Sequence, residues 1–235
     1  MSMFHPLDTD PIWPDRAQIV SDYYQTPLQA INEIYKIASD KDNLKRLALE
    51  HKLDPYILRT MLAYTRYPEA REIYLTLDKM NVSIKGLTVL DFGCLAADYG
   101  LFFASHGAKV TIYDYRKFTD FARFRFDRNG LKIQILNVPV EYPALFKNKD
   151  LVIFGEVLEH FHDPLTVLKT CIDQKVKFIF SSCYPFGDIP YFELSGHRRS
   201  AYDQQPACQE LLNRDYNIIR LEEERRMWVL RKWDL

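Results

Sequence analysis

Several features that mark other classes of protein are missing from this chain of 235 residues. No run of 18 apolar residues occurs, so no transmembrane helix is predicted. The N-terminus, MSMFHPLDTDPIWPDR, is acidic and proline-rich, where a secretory signal would be basic and then apolar. The four cysteines include no C-x-x-C pair, which argues against a zinc site and against a disulfide framework. Together these absences predict a cytoplasmic protein that makes no use of a membrane.

A surplus of positive charge is missing as well. Lysine and arginine number 31 against 32 acids, the net charge is −1, and no long block of basic residues occurs. Proteins that bind duplex nucleic acid usually carry a basic face. The charge balance therefore disfavours nucleic acid as a partner, while the hydrophobic content of 47% is enough for a substantial core.

The front of the chain, residues 1–84, is predicted to be an irregular arm followed by helices. The arm is predicted over residues 1 to about 25, where three prolines occur, and apolar residues then recur at helical spacing to about residue 81. One stretch has the rhythm of a helix-turn-helix, with Asp54 as the N-cap and Pro55 at the first helical position. Because its charges are balanced, a small helical bundle is favoured over a DNA-reading unit.

The remainder, residues 85–235, alternates short β-rich runs with amphipathic segments. The runs are LTVLDFG, AKVTIYD, KIQILNV, DLVIFGE and VKFIFSS, followed by YNIIRLEE and RRMWVLRK. The first five predict βαβ units and a parallel sheet, and the last two predict an antiparallel hairpin. The predicted fold class is α/β, with a Rossmann-like, mostly parallel seven-stranded sheet. Right-handed crossovers bring the carboxyl ends of the parallel strands to one edge, where ligands bind.

Acids end the first two predicted strands. Asp91 and Gly93 belong to the end of the first strand, and Asp114 ends the second, 23 residues after Asp91. A glycine turn lets the backbone approach a ligand, and an acid ending the second strand can accept both hydroxyls of a ribose. The pair predicts a cofactor that contains a nucleoside.

Two longer segments carry a resemblance to a known family. VLDFGCLAADYGLFFASHGAKVTIYDY resembles the first motif of class I S-adenosylmethionine (SAM)-dependent methyltransferases, and DLVIFGEVLEHFHDPLTVLK resembles their fourth-strand motif. Both lie in the family's order and spacing, within residues 86–235. The resemblance implies SAM as the cofactor and implies the following residues as its site: Asp91, Gly93, Cys94, Leu95, Tyr113, Asp114, Asn137, Gly155 and Glu156.

Within that set, the resemblance implies different portions of SAM for different residues. Asp91 and Gly93 would border the methionine portion, and Asp114 would hold the ribose. Asn137 lies where the family often has an acid that contacts the adenine amine. Gly155 and Glu156 would pass close to the sulfonium.

The chain departs from the family at Leu95 and Ala97, where two further glycines are usual. A β-carbon takes up space where backbone must meet a ligand. Either the loop follows a shifted path that still admits SAM, with Gly100 relieving the packing of helix on strand, or the pocket is altered and SAM binds poorly. The first alternative is favoured because the acids of the site are retained.

Candidate catalytic residues follow the fourth strand in GEVLEHFHDP. Methyl transfer is an in-line displacement, so the protein must align a nucleophile and remove its proton. His160 is the predicted base because imidazole titrates near neutral pH, with Glu159 beside it and His197 as an alternative. The competing interpretation is that His160 and Asp163 form a turn that caps the next helix.

The same residues raise the question of a metal. Small-RNA 3′-end methyltransferases use a Glu-x-x-Glu-His element and a later His around a divalent ion, and Glu156, Glu159, His160 and His197 match that set. The string is also widespread in metal-free small-molecule relatives. No metal is therefore predicted.

Substrate contacts are predicted from two places. Arg198 and Arg199 in a long aromatic loop can hold a carboxylate or phosphate, or else pair with local acids. The helical front segment would bring Tyr23, Tyr24 and Tyr64 over the pocket as a lid, or form a homodimer interface.

The leading hypothesis is a SAM-dependent methyltransferase acting on an oxygen or nitrogen of a small molecule, such as a sugar or an anionic metabolite. Two alternatives stay open. One is a catalytically degenerate scaffold, suggested by Leu95 and Ala97, and the other is a nucleic-acid methyltransferase guided by the helix-turn-helix-like segment.

Overall fold

A computed structural model describes residues 16–36, 41–63, 66–182, 184–185, 197–222 and 227–232. Residues 1–15 of the predicted arm and the predicted substrate contact Tyr64 lie outside these ranges. For the rest of the arm the prediction is wrong, because Arg16–Tyr24 is a helix that buries Ile19 and Val20. No helix among the described residues is both long enough and apolar enough to cross a bilayer.

The helices come in an N-terminal group and a group interleaved with strands. The first group is α1 (Arg16–Tyr24), α2 (Leu28–Lys36), α3 (Lys41–Glu50), α4 (Pro55–Leu58) and α5 (Tyr67–Lys79), with a π-helical turn over Arg59–Ala63. The second group is α6 (Asp98–Ser105), α7 (Arg116–Arg128), α8 (Tyr142–Phe146), α9 (Pro164–Asp173) and α10 (Arg199–Asp215), with a 3-10 turn over Leu158–His160.

Seven strands form one sheet in the order β3-β2-β1-β4-β5-β7-β6. They are β1 (Thr88–Phe92), β2 (Lys109–Asp114), β3 (Gln134–Asn137), β4 (Leu151–Gly155), β5 (Phe178–Ser182), β6 (Tyr216–Glu222) and β7 (Met227–Lys232). The first five are parallel, and β7 runs antiparallel to both β5 and β6. The predicted Rossmann-like, mostly parallel sheet is confirmed.

The strand order reverses between β1 and β4, which places a crevice at the carboxyl ends of these two strands. Both strands are apolar on both faces because helices cover the sheet from each side. Consecutive residues of β1 show this directly: Val89 faces the core under α5 and α6, and Leu90 faces the core under α9 and α10. The two layers hold the crevice in a fixed frame.

Helix α5 packs against the sheet, although it precedes the predicted domain boundary at residue 85. Ala70, Ile73 and Leu77 are spaced along one helical face and are fully buried in the core against β1 and α6. The other N-terminal helices have a core of their own, which includes Ile19 and Ile57.

That second core joins the N-terminal helices to α7 and to the turn after β1. Phe118 and Phe121 of α7 belong to it, and so does Ala96 in the turn after β1. Asp54 caps α4 by accepting hydrogen bonds from the amides of Tyr56 and Ile57, with Pro55 at the first helical position, as predicted. The use of this segment as a lid or a dimer interface stays a prediction.

Candidate functional site

The turn between β1 and α6 has a left-handed backbone at three alternate positions. The φ angles are +72° at Gly93, +46° at Leu95 and +57° at Ala97. Only glycine adopts this region without strain, and other L-residues there are disfavoured by about 1–2 kcal/mol each. The chain therefore keeps a glycine-like path at Leu95 and Ala97 without the glycines.

The side chain of Leu95 is directed into packing. It lies against the apolar cluster of the N-terminal helices, and its amide donates to Asp114 Oδ2 at 2.9 Å. Gly93 is required for a second reason, since a β-carbon there would approach Val157 Cγ2 to 2.5 Å. The loop is thus held between the helical segment and the ends of β2 and β4.

Asp114 lies at the end of β2, only 6% exposed. Besides Leu95 N, its carboxylate accepts from Tyr115 N at 2.7 Å. Burial raises its pKa, and the two amides oppose that shift. Each carboxylate oxygen has a second acceptor position, so ribose hydroxyls can still be accepted.

Asp91 lies beneath the loop, 2% exposed, where its Oδ2 accepts from Gly100 N at 2.9 Å. Burial raises its pKa to about 8, so the carboxyl is mostly protonated at neutral pH. Gly100 leaves room for this contact, because a β-carbon there would approach Asp91 Oδ2 to 3.2 Å. Asp91 supports the loop from below, and a direct contact with a cofactor stays a prediction.

Three further residues of the predicted cofactor set, Cys94, Tyr113 and Asn137, have specific contacts. The Cys94 thiol is buried, which raises its pKa well above the usual range. The Tyr113 ring packs 5.0 Å from that of Phe92, and Asn137 Oδ1 accepts from the Thr119 hydroxyl. Tyr115, which sequence reasoning did not name, is 62% exposed directly after Asp114. The signal available in the sequence was an aromatic residue directly after the acid that ends the strand.

At the end of β4, Gly155 meets Tyr99 of α6, and Glu156 meets Arg66, which directly precedes α5. A β-carbon on Gly155 would approach the Tyr99 ring to 2.5 Å, and Glu156 has a φ of +53°. Glu156 accepts from Arg66 Nη2 at 2.6 Å, and Arg66 Nη1 also donates to Glu69 at 2.9 Å. Sequence reasoning missed Arg66 and Glu69, since nothing local links them to residue 156.

The three predicted catalytic residues lie together. One potential ligand atom from each of Glu159, His160 and His197 falls within 4.8 Å of the others, and the two imidazole centroids are 5.0 Å apart. The Arg198 amide donates to the Glu159 carbonyl at 2.9 Å, which ties the start of α10 to the turn after β4. This set could hold a divalent metal, whereas Glu156 is ion-paired with Arg66.

Burial sets the chemistry of this cluster. Glu159 is 2% exposed, its Oε2 has no hydrogen-bond partner among the described residues, and burial raises its pKa to about 7. Burial and the neighbouring His160 lower the pKa of His197, whose Nδ1 is 2.8 Å from the Tyr202 hydroxyl. A carboxyl and two imidazoles placed this close together can exchange protons with a bound molecule.

The capping interpretation is confirmed for Asp163. Its carboxylate accepts from Thr166 N at 3.1 Å and caps α9, which begins at Pro164. His160 takes no part in that cap and lies exposed at the end of the 3-10 turn.

The predicted substrate residues are spread over two places. Arg198 and Arg199 are exposed at the start of α10, and Arg199 Nε donates to Asp203 at 3.2 Å, a local pair that the sequence allowed for. Tyr23 packs edge-on to Phe121 at 4.8 Å, and the Tyr24 hydroxyl accepts from Asp54 N at 3.2 Å. Both tyrosines therefore serve the packing of the helical segment, and their contact with a substrate stays a prediction.

A cavity of about 620 Å³ opens at the opposite, amino-terminal edge of β1, β2 and β3. Its lining includes Lys109, Lys132, Lys147 and Lys149 and none of the residues predicted for the cofactor or for catalysis. The candidate site is therefore defined by strand ends and convergent side chains, not by this cavity.

Comparison with known proteins begins with short sequence matches. No family model matches the chain. A ubiquinone biosynthesis O-methyltransferase of Bordetella avium (strain 197N) is 36% identical over 92 residues, which are 38% of this chain and 38% of that protein. The Bordetella pertussis protein of the same name has the same identity and coverage. The match thus spans about two fifths of the length of these relatives.

Solved structures show a more extensive likeness in fold. Magnesium protoporphyrin IX methyltransferase from Synechocystis PCC 6803, crystallised with bound SAM, superposes with a TM-score of 0.52 at 16% identity, covering 93% of this chain and 96% of that one. The bifunctional kinase-methyltransferase WbdD gives a TM-score of 0.52 at 15% identity, covering 71% of this chain and 40% of that one.

Proposed function

We propose that this chain, which has the fold of the class I SAM-dependent methyltransferases, transfers a methyl group from SAM to an oxygen or nitrogen of a small molecule. The observation that carries the proposal is the convergence of Glu159, His160 and His197 just beyond β4, at the edge where Asp114 ends β2. Ligands of open α/β sheets bind at that edge.

The residues at the strand ends suit SAM. Asp114 has acceptor positions for the ribose hydroxyls of SAM. Tyr115 beside it offers an exposed ring face for the adenine. The left-handed turn at Gly93, Leu95 and Ala97 lets the backbone approach the amino-acid end of the cofactor. SAM when bound would supply an electrophilic methyl group on a sulfonium.

His160 is the proposed general base. It is exposed beside the buried carboxyl of Glu159, so it can reach an acceptor hydroxyl or ammonium while Glu159 stabilises the protonated imidazole. His197 can replace it or relay the proton toward Tyr202. Arg198 and Arg199 at the rim are proposed to hold an anionic group of the acceptor.

An oxygen acceptor is proposed ahead of nitrogen. The matching segments of the Bordetella relatives come from proteins named for O-methylation in ubiquinone biosynthesis. Methylation of a phenol or another weakly acidic hydroxyl needs a base that removes its proton, and His160 lies exposed beside Glu159 where it can do so.

Calorimetric titration with SAM and with its demethylated product tests the cofactor. We expect dissociation constants well below millimolar for both. If neither ligand binds below that concentration, the chain is a scaffold that keeps the fold without turnover, the reading that Leu95 and Ala97 suggest.

Measuring turnover with a panel of phenols, sugars and amines tests the assignment of His160 as the general base. Replacing His160 by Ala should lower kcat by roughly 10²–10⁴-fold and leave the affinity for SAM nearly unchanged. His162→Ala is the matched control, since His162 is an exposed imidazole two residues away. Equal kcat for His160→Ala and wild type would show that His160 has no catalytic role.

A further inference from the structure

Asp98, the first residue of α6, is the centre of a buried ion cluster. Its side chain is 1% exposed, and it pairs with Arg16 Nη2 at 2.8 Å and with Arg125 Nη1 at 2.8 Å. It also accepts from the backbone amide of Arg66 at 3.0 Å. Although burial acts to raise it, the two arginines hold the pKa of Asp98 below its ordinary value.

The donors come from three separate elements. Arg16 lies on α1, Arg125 on α7, and Arg66 precedes α5. Arg16 Nη1 also donates to the carbonyls of Thr60 and Met61, each at 3.2 Å. The cluster therefore fastens the start of α6 to the N-terminal helices.

The same cluster reaches the turn before α6. Arg125 Nη1 donates to the carbonyl of Ala96, which lies between Leu95 and Ala97. These two residues have positive φ angles that glycine adopts freely and other residues disfavour. Contacts from outside the turn must hold that backbone, and the Asp98 cluster is attached on its carboxyl side.

We propose that Arg16 and Arg125 are positioning residues that hold the Leu95–Ala97 turn in the conformation that SAM binding requires. Arg16 acts through Asp98, and Arg125 acts through Asp98 and through the Ala96 carbonyl. The helical segment then stabilises at this turn a backbone that glycines would adopt on their own. This inference rests on the proposed function, because it assigns the turn to the cofactor.

A double-mutant cycle on SAM affinity tests the proposal. Arg16→Met keeps the aliphatic stem and removes the guanidinium, and we expect SAM to bind about tenfold more weakly, the factor expected for one non-glycine residue in the left-handed region. Ala97→Gly should change the affinity little in the wild type and restore most of the loss in Arg16→Met. The loss of the Ala97 methyl is common to both backgrounds and cancels in the cycle.

Lys175→Gly supplies the matched control cycle. Lys175 has a φ of +58° and lies exposed after α9, so glycine there relieves the same conformation away from the turn. We expect no coupling between Lys175→Gly and Arg16→Met. Equal rescue by both glycines would mean that Arg16 acts through overall stability, and additive effects of Arg16→Met and Ala97→Gly would overturn the proposal.

Hydrogen exchange separates this inference from the proposed function. In protein without ligand, Arg16→Met should lower the protection of the Leu95 and Ala97 amides, which donate to Asp114 Oδ2 and to the Cys94 carbonyl. The β2 amides should keep theirs. If the wild type does not bind SAM but Arg16→Met shows this exchange pattern, the proposed function is wrong while Arg16 still holds the turn. Unchanged protection of the Leu95 and Ala97 amides in Arg16→Met would overturn the inference that Arg16 holds the turn.

Arg16→Lys covers the case in which Arg16→Met does not fold. Lysine keeps the charge but lacks the fork that serves Asp98 and the two carbonyls together. We expect an intermediate affinity for SAM with Arg16→Lys, and an affinity equal to that of the wild type would again count against the proposal.

Discussion

The buried acids in and near the candidate site have different surroundings, and their pKa values differ for that reason. Asp91 and Glu159 are buried with few donors, so burial raises their pKa values to about 8 and about 7. Asp98 is as deeply buried, yet two arginines lower its pKa. Charge partners, not burial alone, decide which acid is ionised.

Glu159→Gln should abolish a loss of stability that the wild type shows as the pH rises. The folded protein holds a proton on Glu159 up to about pH 7, while the unfolded chain releases it near its ordinary value of 4.5. The free energy of unfolding of the wild type should therefore fall relative to the variant between these two pH values, by about 3 kcal/mol in total. Urea denaturation of both proteins from pH 4 to 8 measures the difference.

Glu210→Gln is the control, because Glu210 is exposed on α10. Its difference from the wild type should stay flat across the same range. A flat difference for Glu159→Gln as well would show that Glu159 ionises normally in the folded protein.

Asp114→Ala should weaken SAM by about 1–3 kcal/mol, since the ribose hydroxyls lose a charged acceptor and the Leu95 amide loses its partner. Calorimetry gives the affinity. Asp120→Ala removes an exposed acid one turn into α7 and should leave the affinity for SAM unchanged. Equal affinity for Asp114→Ala and wild type would mean that the ribose lies elsewhere.

At the scale of the secondary-structure elements, α6 and the end of β4 are in close contact at Gly155. The Tyr99 ring of α6 occupies the place that a side chain at the end of β4 would need. Tyr99 also donates a hydrogen bond to Glu69, so α5, α6 and β4 meet at this point. The geometry of the crevice depends on that contact.

Gly155→Ala should destabilise the fold by about 1–3 kcal/mol through overpacking against Tyr99. Thermal or urea unfolding measures the change. Gly130→Ala is the comparison, because a β-carbon there meets no atom within 4 Å and only the φ of +63° is strained, at about 1 kcal/mol. A smaller loss for Gly155→Ala than for Gly130→Ala would show that Tyr99 moves aside readily.

For the whole molecule, the near-neutral charge bears on the choice of partner. With a net charge of −1, no general attraction to nucleic acid is expected. Fluorescence polarisation with duplex DNA and with RNA between 50 and 200 mM salt should show weak binding with little salt dependence. Binding that weakens steeply with salt would favour the nucleic-acid methyltransferase alternative.

Local sequence pattern predicted much of this fold and a part of the site. The β-rich runs ending at Phe92, Asp114 and Gly155 became strands because alternation of strands and helices is a local property. The convergence of His160 and His197 was predicted because both follow strands whose carboxyl ends share an edge. Tyr23 and Tyr24 were predicted to face a substrate, but sequence alone does not say which helix their rings meet.

By itself the sequence determined the order of strands and helices, the edge where a ligand would lie, and the residue types there. Only the tertiary structure decided that Leu95 and Ala97 keep a left-handed backbone and that Arg16 and Arg66 reach Asp98 and Glu156, over 82 and 90 residues of chain. Periodicity depends on near neighbours along the chain, whereas burial, ion pairs and the resulting pKa values depend on residues that become neighbours only on folding.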